Sequence, residues 1–142
     1  MGQCAGMDGA LRIFDGARPV NVTENAFVGS YDVHTIAVES AGHRVTDNIA
    51  VATFHILGPS KADQHLPATF FVTSSGVTLQ RNRAAGSDRF AFNVIGDACG
   101  ATEPSFLDNH AQSSLVGIRP LSAQGGCAVV TCAVVPGPHF DR

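Results

Sequence analysis

Short stripes of alternating apolar residues, interrupted roughly every ten residues by Gly, Pro, Ser, Asn or Asp, constrain this chain more than any other feature. Arg89 to Ile95 shows the pattern best, with Phe90, Phe92 and Val94 on one parity and Arg89, Ala91 and Asn93 on the other. A side-chain period of two belongs to strands, because successive Cβ atoms in an extended chain point to opposite faces. Helical periodicity is hard to find. Further strands are expected at Leu11 to Phe14, Pro19 to Thr23, Tyr31 to Glu39, Asn48 to Leu57, Thr69 to Thr73, Ser114 to Leu121 and Cys127 to Val135. Pro19 cannot donate to a ladder, so its strand is placed at a sheet edge. Ser74-Ser75-Gly76 reads as a hairpin turn into Val77 to Gln80. Arg81 to Asp88 and Gly100 to Gln112 read as loops. No internal repeat and no dividing linker is apparent.

This pattern predicts an all-β fold, specifically a two-sheet antiparallel β-sandwich with immunoglobulin-like or cadherin-like Greek-key topology. The chain has 142 residues, enough for one domain that buries about two thirds of its unfolded surface. Residues 1–142 are therefore read as a single domain, with a core over about 19–122 and a C-terminal strand and tail over 123–142. Hydrophobic residues make up 44% and charged residues 15%, too apolar for a disordered chain. A formal charge of −3 leaves no electrostatic footprint for nucleic acid or an anionic membrane. No apolar run approaches the ~20 residues of a membrane-spanning helix.

The segment from Pro19 to about Gly100 resembles a cadherin repeat. The residues that carry the likeness are Glu24-Asn25, Gly29, Val33, Ile36 and Val38, then Asp47-Asn48 ahead of Phe54 and Ile56. Phe70, Val72, Gly76 and Val77 continue it, and Phe90, Phe92 and Val94 close it. The resemblance implies a sandwich that acts in adhesion. Its calcium ligands are mostly missing. Glu39-Ser40-Ala41-Gly42, Arg83-Ala84-Ala85-Gly86 and Ser122-Ala123-Gln124-Gly125-Gly126 stand where acidic motifs belong, and Ala98 stands where a further Asp belongs. Glu24 is the one ligand left in register, and Ca²⁺ takes six to eight oxygens. No cofactor is expected; calcium is possible through Glu24 but is not supported by the other positions.

Four cysteines, Cys4, Cys99, Cys127 and Cys132, suit two disulfides in any of three connectivities. One pairing joins Cys127 to Cys132 and Cys4 to Cys99; four buried thiols are the alternative. Asn21-Val22-Thr23 is a glycosylation sequon in a secretory setting. Arg81, Arg83 and Arg89 form a basic cluster able to contact a phosphate or a sulfated sugar, or simply to stay solvated. Cys127, Cys132 and His139 lack a fourth zinc ligand. No Gly-x-Ser-x-Gly elbow is present, and no imidazole is placed by sequence beside Cys99. With three Glu, one Tyr and no Trp, neither a carboxylate pair nor an aromatic sugar platform is visible.

The expectation is therefore a non-enzymatic extracellular or cell-surface module for adhesion or structure. It would work through a protein partner or self-association as a homo-oligomer. The alternative is a virion, capsid-decorating or filament subunit. A hydrolase or lectin with a loop-built site is a third class.

Overall fold

The computed structural model describes residues 9–14, 18–31, 34–54, 67–74, 76–95 and 106–121. The four cysteines, His55, His65, His139 and the expected strand Cys127 to Val135 lie outside them. Regular structure among the described residues is strand throughout. The chain runs through β1 (Gly9–Ile13), β2 (Asn21–Thr23), β3 (Ala26–Tyr31) and β4 (His34–Val38). It continues with β5 (Arg44–Thr46), β6 (Ile49–Phe54) and β7 (Ala68–Val72), then β8 (Thr78–Gln80), β9 (Arg83–Ala85) and β10 (Phe90–Ile95). It closes with β11 (Phe106–Leu107), β12 (His110–Gln112) and β13 (Val116–Leu121).

These strands form three parallel sheets. Sheet A is β1-β4-β7-β10-β13, sheet B is β11-β8-β5-β2, and sheet C is β12-β9-β6-β3. The chain visits B, C and A in turn and then climbs one rung, which makes a β-solenoid of about three turns. The expected antiparallel two-sheet sandwich is thereby overturned, since every strand pair is parallel. The physical reason is that alternation identifies a strand but not the direction of its partner. Ser74 to Gly76 does not turn a hairpin, because β7 belongs to sheet A and β8 to sheet B. The two expected loops contain β9, and β11 with β12. The expected strand from Tyr31 to Glu39 is divided between β3 in sheet C and β4 in sheet A. Asn21–Thr23 does lie at the edge of sheet B.

In-register parallel pairing stacks equivalent residues into columns, and the core is made of such columns. Leu11, Ile36, Phe70, Phe92 and Ile118 align across sheet A, and Ile13, Val38, Val72 and Val94 form the next column. Val22, Val45, Leu79 and Phe106 face them from sheet B. Sheet C contributes Phe27, Ala50 and Ala84. Residues of both parities are buried from Thr35 to Val38 and from Phe90 to Val94. Strands of parallel sheets are commonly covered on both faces, so both parities of β10 are buried, Ala91 and Asn93 as well as Phe90, Phe92 and Val94.

Two columns of left-handed backbone set the corners. Glu24, Asp47, Arg81 and Asp108 have φ of 56°, 60°, 52° and 52°. Gly29, Ala52, Gly86 and Ser113 form the second, each with positive φ. The left-handed region costs an L-residue roughly 1–2 kcal/mol, and glycine almost nothing. Ala52 (φ 63°) and Ser113 (φ 52°) are the non-glycine members, and Ala52 lies between Gly29 and Gly86 of the flanking turns. Ala52→Gly is therefore expected to raise stability by about 1 kcal/mol, seen as a rise of a few degrees in Tm. A circular-dichroism melt that fell instead would contradict the strain assigned to this corner.

Candidate functional site

Behind the first corner column runs an asparagine ladder: Asn25, Asn48, Asn82 and Asn109. Its rungs are separated by 23, 34 and 27 residues. The N–H of each of the first three donates to the side-chain oxygen of the next, at 3.1, 3.1 and 3.0 Å. The side-chain amides of Asn48, Asn82 and Asn109 reach back to the carbonyls of Val22, Val45 and Leu79. Asn48 and Asn82 are fully buried, so these bonds satisfy corner groups that water cannot reach. This ladder explains why Glu24-Asn25 and Asp47-Asn48 recur in sequence: they are equivalent rungs.

A second polar chain braces the corner between sheets C and A. Thr69, Thr53, Thr35 and Ser30 are all buried, with hydroxyl separations of 3.0, 2.7 and 3.0 Å in that order. One hydrogen per hydroxyl suffices if Thr69 donates to Thr53, Thr53 to Thr35 and Thr35 to Ser30.

Ser40 and His43 have the composition of a catalytic pair but the wrong hydrogen-bond direction. The Val20 N–H donates to His43 Nδ1 at 3.2 Å, so the ring hydrogen sits on Nε2. That nitrogen lies 2.8 Å from Ser40 Oγ and donates to it, while Ser40 donates onward to the Phe14 carbonyl at 3.1 Å. An activating base must accept the serine proton; this imidazole gives one. The pair ties β1 and the approach to β2 onto the next turn.

An open recess lies on the flank where sheets B and C meet. It is a groove of ≈ 450 Å³ lined by Asp47, Ile49, Arg81, Arg83, Asp108 and His110. The left-handed corner brings Asp47, Arg81 and Asp108 into one column, and in-register pairing of β6, β9 and β12 aligns Ile49, Arg83 and His110 in the next. Arg81 grips Asp47 through Nε and Nη2, both at 2.7 Å. This fork holds the Asp47 carboxyl below its ordinary range, and it raises Arg81, which Asp108 raises further. The pair is exposed, so its worth to stability is small.

The expected basic cluster is therefore split. Arg81 and Arg83 line the groove, whereas Arg89 lies elsewhere with its Nε buried. Sequence reasoning missed Asp47, Asp108 and His110 as neighbours of these arginines. The recurring residue-Asn corner at 24–25, 47–48, 81–82 and 108–109 was the signal that aligns them. Glu24 is exposed in the same corner column, and among the described residues no group of three metal-ligating side chains occurs. Asn21 is exposed on β2. No described helix is long and apolar enough to cross a membrane. The chain matches no protein-family model, no curated protein and no solved structure.

Proposed function

We propose that this chain is a non-enzymatic structural or adhesive module, displayed extracellularly or at a surface, that works by contact with further copies of itself. The observation that carries the reading is the outer face of sheet C at its N-terminal end. Val28 and Tyr31 on β3 are 77% and 58% exposed, and Ile49 and Phe54 on β6 are 48% and 38% exposed. Register pairs Ala26 with Ile49 and Val28 with Val51 on one side of the Gly29–Ala52 corner and Tyr31 with Phe54 on the other, so the apolar groups flank that corner on two adjacent strands. The Tyr31 and Phe54 rings sit 5.6 Å apart. Apolar surface clustered in this way is a mark of a contact site, whereas scattered apolar residues are not.

The same end supports the alternative of a filament or virion assembly subunit. β3 is the last strand of sheet C, and no described strand pairs with its far edge. An unpaired edge is a template for a strand from another chain. Sedimentation velocity over a concentration series tests both. Association that weakens in Val28→Asp is expected, closing at a dimer for face packing and remaining open-ended for edge addition. A wild-type chain that stays monomeric at its highest soluble concentration would rule out self-contact.

A further inference from the structure

The flank groove shares Ile49 with the apolar surface of sheet C and is otherwise lined by charged residues and His110. We propose that it binds a sugar acid, meaning a saccharide carrying a carboxylate or a sulfate ester, with the anion held by Arg83 and His110. The charge arrangement points there. Arg81 is committed to Asp47 through two bonds of its guanidinium fork. Arg83 and His110 are exposed, and among the described residues neither side chain takes part in a hydrogen bond or ion pair. They are direct register partners on adjacent parallel strands. Neighbouring strands are about 4.8 Å apart, so one oxyanion can accept from both side chains at once.

The rest of the lining selects the kind of anion. Asp108, and the lone pairs of Asp47 not used by Arg81, are acceptors that need donors from the ligand. Sugar hydroxyls supply donors next to an acid group. An acidic peptide would bring its carboxylates without the hydroxyl donors that Asp47 and Asp108 call for. The lining contains no Phe, Tyr or Trp ring, so neither a nucleobase nor a neutral sugar finds a broad stacking platform. Ile49 offers one small apolar contact at the end of the column.

Calorimetric titration of the full chain with oligogalacturonate and with sulfated dextran oligosaccharide tests the site, with neutral dextran as control. Saturable binding of at least one anionic saccharide and none of dextran is expected. Arg83→Gln should weaken it about tenfold or more, the size of a lost charge-assisted contact. Arg44→Gln removes an exposed arginine that does not line the groove, and should leave binding unchanged. Asp108→Asn separates a sugar acid from a generic anion: it exchanges one carboxylate oxygen for an NH2 donor and leaves a single neutral acceptor, which weakens the hydroxyl contacts of the sugar, whereas losing a negative charge would strengthen a bare anion. Equal weakening by Arg44→Gln, tighter binding in Asp108→Asn, or no binding of either anionic saccharide would overturn the proposal. Sedimentation of Arg83→Gln should match wild type, which keeps this result apart from self-association.

Discussion

Asn48→Leu is expected to destabilise the solenoid by about 3 kcal/mol or more, because several buried partners lose their bonds together and each orphan costs about 1–3 kcal/mol. Asn48 occupies an inner rung. Its oxygen accepts from the Asn25 N–H and from the Asn25 amide, both at 3.1 Å. Its amide donates to the carbonyls of Val22 and Thr46 and to Asn82 Oδ1, at 2.9, 3.0 and 2.9 Å. Leucine nearly preserves shape and supplies none of these groups. Asn48→Asp keeps the acceptor but removes both donors and adds a buried charge, so it should be no better tolerated. Urea unfolding followed by circular dichroism measures both. An Asn48→Leu midpoint close to wild type would mean that the ladder is ornamental. Asn109 is only half-buried, so water can replace more of its bonds. Asn109→Leu should accordingly cost clearly less than Asn48→Leu.

The second large effect is expected at Phe92. Its ring stacks on Phe70 at 4.8 Å with an interplanar angle of 11°, and meets Phe106 edge-on at 5.5 Å. Phe70 and Phe92 are both fully buried. Phe70 lies below Phe92 in sheet A and Phe106 lies across the interior in sheet B, so one ring ties two sheets and two turns. Phe92→Ala leaves a cavity that three stacked strands cannot collapse around, at a cost of about 3–5 kcal/mol. A domain of ordinary stability holds about 5–15 kcal/mol in total, so the variant should unfold at a much lower denaturant concentration. Phe92→Leu refills part of the space and should fall between the two. If Phe92→Ala unfolded like wild type, the interior packing described here would be wrong.

The repeat was legible at two places and obscured elsewhere. Val22-Thr23-Glu24-Asn25 and Val45-Thr46-Asp47-Asn48 are nearly the same word, 23 residues apart. The following rungs, Gln80-Arg81-Asn82 and Leu107-Asp108-Asn109, keep only the Asn and the left-handed residue before it. Turns of 34 and 27 residues then break any fixed period. Unequal turns are tolerated because each solenoid rung needs register only at its strands, while the connections between them vary in length. The same words, taken with the apolar spacing, also resemble a cadherin repeat. Short strands separated by turns are common to both architectures.

For the groove, the sequence placed Arg81 and Arg83 together because they are two residues apart. Asp47, Asp108 and His110 lie 25 to 36 residues from Arg83 along the chain, and only the stacking of β6, β9 and β12 brings them to it. The Ser40–His43 pair was likewise invisible as chemistry, since its direction depends on the Val20 N–H from a different turn.

The sequence by itself determined that the chain forms strands and where most of them lie, because side-chain parity is a local property of an extended backbone. Only the tertiary structure decided that strands pair parallel with the next turn, that three sheets enclose the core, and which charges share a flank. Those outcomes depend on hydrogen bonds and contacts between rungs 23 or more residues apart, which no local pattern encodes.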